Sequence, residues 1–249
     1  MSQIEQEQLI GQGTADLTRR IAESKLGVTI PESTMVSWIS LSRAIRVADD
    51  FIDSEQSDEV REGVYARAVG YLSGESEELG ISNERLVVEM GDLRSHLGSI
   101  SDEQRAVFIR NLRILLRISE KIKRTEKPAD LAKLTMLEGQ VTARLFISFL
   151  PKGFPEIAGY DAYVSYFTRL LRGINAFDSL VDFSADYNEG KIKVRPTLGN
   201  RAAFAANTLG NTVFIATHTS PSLVRSFGSG AKIVVGDRTG NGPIHFVKD

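Results

Sequence analysis

The chain has 249 residues, with 30 Lys and Arg against 32 Asp and Glu and a formal net charge of -2. At 42% hydrophobic and 25% charged residues it has the balance of a globular chain long enough to bury a sizeable core. The even charge argues against general nucleic-acid binding. The absence of Cys excludes disulfides, thiolate metal sites and a Cys nucleophile, and three scattered histidines, His96, His218 and His245, exclude an H-E-x-x-H centre.

The opening MSQIEQEQLI is acidic and polar, without a secretory-signal pattern, and no run of 18 apolar residues occurs. The default location is therefore the cytoplasm, with contact at a membrane surface left open. Residues 1–197 read as helix after helix. Ile4, Leu9, Ile10, Leu17 and Ile21 give helical spacing from Ile4 to Leu26. Pro31 fits the first position of a second helix running to Ile52, with Glu32 in its first turn. Further helices are expected over Asp58–Leu72 and Asn83–Leu97. Ser101-Asp-Glu-Gln104 is a capping-box pattern that starts a helix to about Ile122. Pro128 opens another through Leu150, which Pro151, Gly153 and Pro155 break. The last long helix runs from about Tyr160 to Asn188 and stops at Gly190. Residues 198–249 form a Gly-rich C-terminal segment that does not read as long helices. In it Val213-Phe-Ile-Ala216 and Ile233-Val-Val235 suit short strands or helix fragments.

Two of these helices carry their charges on a single stripe. Met35–Asp53 is apolar almost all round, and such a helix is buried. It nevertheless holds Arg46, Asp49, Asp50 and Asp53, at offsets 0, 3, 4 and 7 and so on one face. Tyr160–Asn188 has an apolar and aromatic body and a polar stripe of Asn175, Asp178, Asp182, Asp186 and then Glu189, followed by Lys191, Lys193 and Arg195. Carboxylates crowded on a buried face are costly unless a cation neutralises them. Oxygen ligands without imidazole or thiolate suit a hard divalent ion, chiefly Mg²⁺, which fills its shell with water and phosphate oxygens. Two facing acidic helices can therefore clamp a diphosphate through Mg²⁺, with Arg and Lys on the free oxygens. The carbocation left when diphosphate departs needs an apolar, aromatic-lined pocket. A structural salt-bridge network is the competing reading of the same stripes.

At these residues the sequence resembles the class I isoprenoid enzymes, most closely the squalene/phytoene synthase group. Arg46-Val-Ala-Asp-Asp-Phe-Ile-Asp53 is similar to their first motif, an Arg followed by D-D-x-x-D. Asp182-Phe-Ser-Ala-Asp186-Tyr-Asn-Glu-Gly190-Lys191-Ile192 is similar to their second. The resemblance spans roughly residues 30–197. It implies an all-α helical bundle around a central cavity, with Mg²⁺ on Asp49, Asp50, Asp53, Asp182 and Asp186 and diphosphate on Arg46 and Lys191. Asp178 and Glu189 join the metal candidates and Arg195 the diphosphate candidates. The chain departs from the group at Asp178 and Val181, where an amide and Arg-Asp are usual, and Leu137-Glu-Gly139-Gln-Val141 is only faintly like its small-residue kink. The Asp178, Asp182, Asp186 spacing is also similar to the metal motif of terpene cyclases.

The expected activity is Mg²⁺-dependent ionisation of a prenyl diphosphate, with head-to-head condensation of two such molecules. The alternatives are a terpene cyclase acting on one prenyl diphosphate and a non-catalytic helical interaction protein that keeps the fold. A homo-oligomer is compatible with all three. Of the remaining features, Trp38, Tyr160, Tyr163, Tyr166 and Phe167 read as core residues, with a cavity wall as the second reading. Arg110, Arg113, Arg117, Lys121, Lys123 and Arg124 read as a solvated face, or otherwise as a contact for an anionic membrane or partner. Gly236–Gly242 reads as a turn rather than a phosphate loop. No G-x-S-x-G elbow supports a hydrolase.

Overall fold

The computed structural model of the chain describes residues 3–54 and 57–218. The elements are α1 (Gln3–Leu26), α2 (Glu32–Ser54), α3 (Asp58–Ser73), α4 (Glu84–Gly98), α5 (Asp102–Arg124), α6 (Pro128–Ile147), a short 3-10 turn at Phe154–Glu156, α7 (Tyr160–Asn188) and α8 (Leu198–His218). The architecture is all-α, with no strand among the described residues.

The helix starts follow local chemistry. Ser57 and Asn83 cap α3 and α4 through their side chains, and Ser101 with Gln104 makes the full capping box of α5. Gln104 also donates to the Ser148 and Leu150 carbonyls, at 3.1 and 2.7 Å, pinning the start of α5 to the end of α6. Pro31 stands just before α2, where its carbonyl accepts from Thr34 and Met35, rather than inside the first turn.

Packing closes a ring. α2 lies on α4, α4 on α3, α3 on α5, α5 on α6 and α6 on α7, and α1 bridges α7 back to α2. The main core includes Trp38, Leu86, Phe108, Leu145, Tyr163 and Phe167. Trp38, fully buried, donates its indole N–H to the Phe146 carbonyl at 2.8 Å and so ties α2 to α6. Tyr163 and Tyr166 are buried too, so these aromatics serve as core. α6 and α7 approach closely at Gly139: a Cβ there would stand 2.4 Å from the Leu171 carbonyl oxygen.

Beyond residue 197 the structure differs from the sequence reading. Residues 198–218 form one helix of 21 residues rather than fragments. Thr197 caps it, its hydroxyl accepting from Asn200 N–H at 3.3 Å. The run of alanines at 202, 203, 205 and 206 favours helix despite Gly199 and Gly210. Phe204 anchors it against Phe183 of α7, ring centroids 5.1 Å apart, in a second core with Leu131, Ile192 and Val194. Ile233–Val235 and the Gly236–Gly242 turn lie outside the described residues.

Candidate functional site

The ring of helices encloses a cavity of about 570 Å³, lined by α2 to α8 and by the segment after α7. Its two ends differ in kind. Leu41, Ala44, Leu86, Met90, Leu93, Phe108 and Leu145 make one end apolar. The other end gathers the C-terminal halves of α2, α5 and α7 with the middle of α6. It carries Asp49, Asp50, Asp53, Glu138, Asp178, Asp182, Asp186 and Glu189, with Arg46, Lys123 and Lys191 as counter-charges. The two acidic stripes therefore share one cavity mouth. Arg195 does not line it: its side chain is exposed, and its carbonyl accepts from Thr197 and Asn200 at the start of α8.

Each wall is positioned from the sequence upward. On α2 the apolar majority packs inward and leaves the 3-4 stripe as the face toward the cavity; Arg46 pairs along the helix with Asp50 at 3.6 Å. On α7, Phe183 anchors in the second core while Asp182 and Asp186 line the cavity. Gly190, at φ 76°, ends α7 and folds the chain back, so that Lys191 N–H donates to the Asp186 carbonyl at 2.8 Å. Buried Ile192 and Val194 hold this return. Lys191 then reaches Glu189 at 3.0 Å and Asp53 at 3.2 Å. Burial works against its charge, but these carboxylates outweigh it and hold the ammonium above its usual pKa range.

Two charged residues of the mouth were not singled out from the sequence as site residues. By sequence alone Lys123 belongs to the solvated basic face. It turns away from Arg113 and Arg124, which pair with surface acids Glu75 and Glu62, and meets Asp53 at 2.6 Å. The signal was its register: it follows Ser119 by four and Leu116 by seven, on the cavity face of α5. Glu138 likewise falls on the stripe of Leu131, Thr135, Thr142 and Leu145. Ser119 and Asn175 donate to its two oxygens, at 2.7 and 2.9 Å. Asn175 also donates to the Thr135 carbonyl at 2.9 Å.

The mouth is electrostatically strained. Water reaches Asp49 through the cavity, yet protein surrounds it. That enclosure, then Glu138, Asp53 and Asp50, push its pKa up to about 8 against the pull of Arg46. Burial raises Asp186 to about 6, with Lys191 opposing and Asp53, Asp178 and Glu189 adding. Burial also raises Glu138, against its hydrogen bonds from Ser119 and Asn175. A carboxyl whose folded pKa lies above its unfolded one holds more protons folded than unfolded, so stability is lost as pH rises between the two values. The contribution of these carboxyls to stability should therefore fall as pH rises from about 4 to 8. Urea midpoints across that range should show Asp49→Asn gaining steadily on the parent chain; a pH-independent gap would remove the electrostatic reading.

The donor set is all-oxygen and strongly anionic, which suits hard divalent cations. Among the described residues no three carboxylates already converge on one point as an assembled metal site. Asp53 is instead held by two lysines. Asp53 could turn to a metal ion only if these two partners exchanged. No described helix is long and apolar enough to cross a membrane. Comparison with protein-family models, curated proteins and solved structures finds no match.

Proposed function

We propose that the protein ionises a prenyl diphosphate with the help of Mg²⁺ and condenses two such molecules head to head. One observation carries this reading: two acidic helix stripes meet at the mouth of a single cavity whose far end is wholly apolar. Such a cavity has the polarity of an amphiphile with a polyanionic head and a hydrocarbon tail. The tail would lie along Leu41, Leu86, Met90, Leu93 and Phe108, away from bulk water. Eight carboxyl groups, Asp49 largely protonated among them, still outnumber three cations and repel a diphosphate until positive charge is added. Mg²⁺ on Asp49, Asp50 and Asp53 of one wall and Asp178, Asp182 and Asp186 of the other, with Glu189 in support, would supply that charge and make diphosphate a better leaving group. Arg46 and Lys191 would bind its outer oxygens and hold C1 of the substrate toward the cavity. The carbon–oxygen bond breaks with both electrons leaving on diphosphate. The cationic carbon left behind would face the apolar side chains of the far end, with the Phe108 and Tyr65 rings on the cavity wall.

The test incubates the purified chain with prenyl diphosphates of ten, fifteen and twenty carbons, with Mg²⁺ or with EDTA, and follows diphosphate release and product mass. Mg²⁺-dependent release with a doubled carbon count is the expected result. Release with an undoubled product makes it a cyclase, and no release with any substrate favours a helical interaction protein.

A further inference from the structure

Resting on the diphosphate reading above, we propose that Lys123 is a second phosphate-binding lysine, supplied by α5 and stored on Asp53 until a divalent cation and a diphosphate arrive together. Asp53 takes one ammonium on each oxygen: Lys123 on Oδ1 at 2.6 Å and Lys191 on Oδ2 at 3.2 Å. The three groups come from three separate parts of the chain, α2, α5 and the return after α7, and join only at the cavity mouth. The side chain of Lys123 is just 16% exposed. It lies on the same face of α5 as Leu116 and Ser119, so its charge is directed into the cavity rather than to bulk solvent.

Each member of this triad has a stronger ligand to take. A divalent cation competes with two ammoniums for Asp53. A diphosphate competes with Asp53 for the two ammoniums, against the repulsion of the other carboxylates. Either ligand alone thus leaves an unpaired charge in a partly enclosed site, which is unfavourable. Together they exchange partners: Asp53 passes to the cation and the lysines pass to phosphate oxygens. A lysine suits the exchange because its flexible four-carbon stem carries a compact charge with three donors, so α5 need not move. Each ligand then strengthens the other, by the same factor in both directions.

The test measures binding, not turnover, on the full chain. Mn²⁺ is titrated without phosphate by electron paramagnetic resonance, and labelled inorganic pyrophosphate is titrated by equilibrium dialysis at saturating Mg²⁺. The Lys123→Met variant should bind Mn²⁺ several-fold more tightly, because one competitor for Asp53 is gone. It should bind pyrophosphate about tenfold more weakly, the scale of one lost charge-assisted hydrogen bond. Lys123→Arg keeps the charge and should retain pyrophosphate binding, which guards against a folding artefact in the Met variant. Opposite-sign changes support the proposal. Unchanged pyrophosphate affinity, or weakening of both ligands alike, overturns it while leaving the diphosphate function standing. A parent chain that binds neither ligand overturns both.

Discussion

Replacing Asp182 with Ala should lower diphosphate release by about 10²–10³-fold, the scale lost when one preorganised electrostatic group is removed from a reaction centre. Asp50→Ala, on the opposite wall, should do the same. Neither change should unfold the chain. Asp50 and the Arg46 side chain it pairs with are both partly open to water, at 44% and 35% of their side-chain surface, so the rest of the guanidinium stays solvated when Asp50 is removed. Asp182 stands beside Phe183, and it is Phe183 that fills the second core. Partly exposed charges of this kind contribute on the order of 1 kcal/mol or less to stability. Lost release with unchanged urea midpoints would place both carboxylates at the reaction. Full activity in both variants would sink the metal assignment, and the stripes would then be a salt-bridge network around Arg46, Lys123 and Lys191.

The second large effect is on the fold. Gly139→Ala sits in the interior of α6, where propensity alone would stabilise by about 1 kcal/mol. The contact reverses the sign. The new methyl would meet the Leu171 carbonyl oxygen at 2.4 Å, its carbon at 2.8 Å and Arg172 N at 3.0 Å, all of them backbone that no rotamer change can clear. α6 and α7 must part, and overpacking of this kind costs about 1–3 kcal/mol. Gly139→Val should cost more. Parting the helices also strains the bonds from Asn175 to Glu138 and Thr135, so the Ala variant should lose ligand binding along with stability. A raised urea midpoint for Gly139→Ala would mean that the two helices do not approach this closely.

Much of the scaffold was legible because its signals are local. Ser101 with Gln104, Asn83, Pro128 and Gly190 mark helix ends through the hydrogen bonds and backbone angles they make possible, and the ends fall where those residues stand. The two acidic stripes were legible from spacing alone, as was their placement on helices that are otherwise apolar. What escaped depends on tertiary neighbours. Lys123 lies close in sequence to five other basic residues, and only its register against Leu116 and Ser119 separates it from them. Glu138 is a single charge whose meaning comes from Ser119 and Asn175 on two other helices. α8 was obscured by its glycines, because the contact that secures it, Phe204 on Phe183, joins residues 21 apart in sequence. Arg195 sits only four residues beyond Lys191, yet the return after Gly190 brings one lysine to the mouth and leaves the arginine outside.

The position of Trp38 gives the molecule a built-in optical gauge. It is the only tryptophan in the chain, fully shielded from water, and its indole is hydrogen-bonded to the backbone of α6. It shares α2 with the first acidic stripe but precedes Asp49 by eleven residues, about 16 Å along the helix axis. A ligand at the mouth is too far away to quench it directly. Any change in emission on adding metal or pyrophosphate therefore reports α2 sliding or tilting against α6, and a constant emission through saturation reports that the wall carrying the aspartates stays in place while its occupants change.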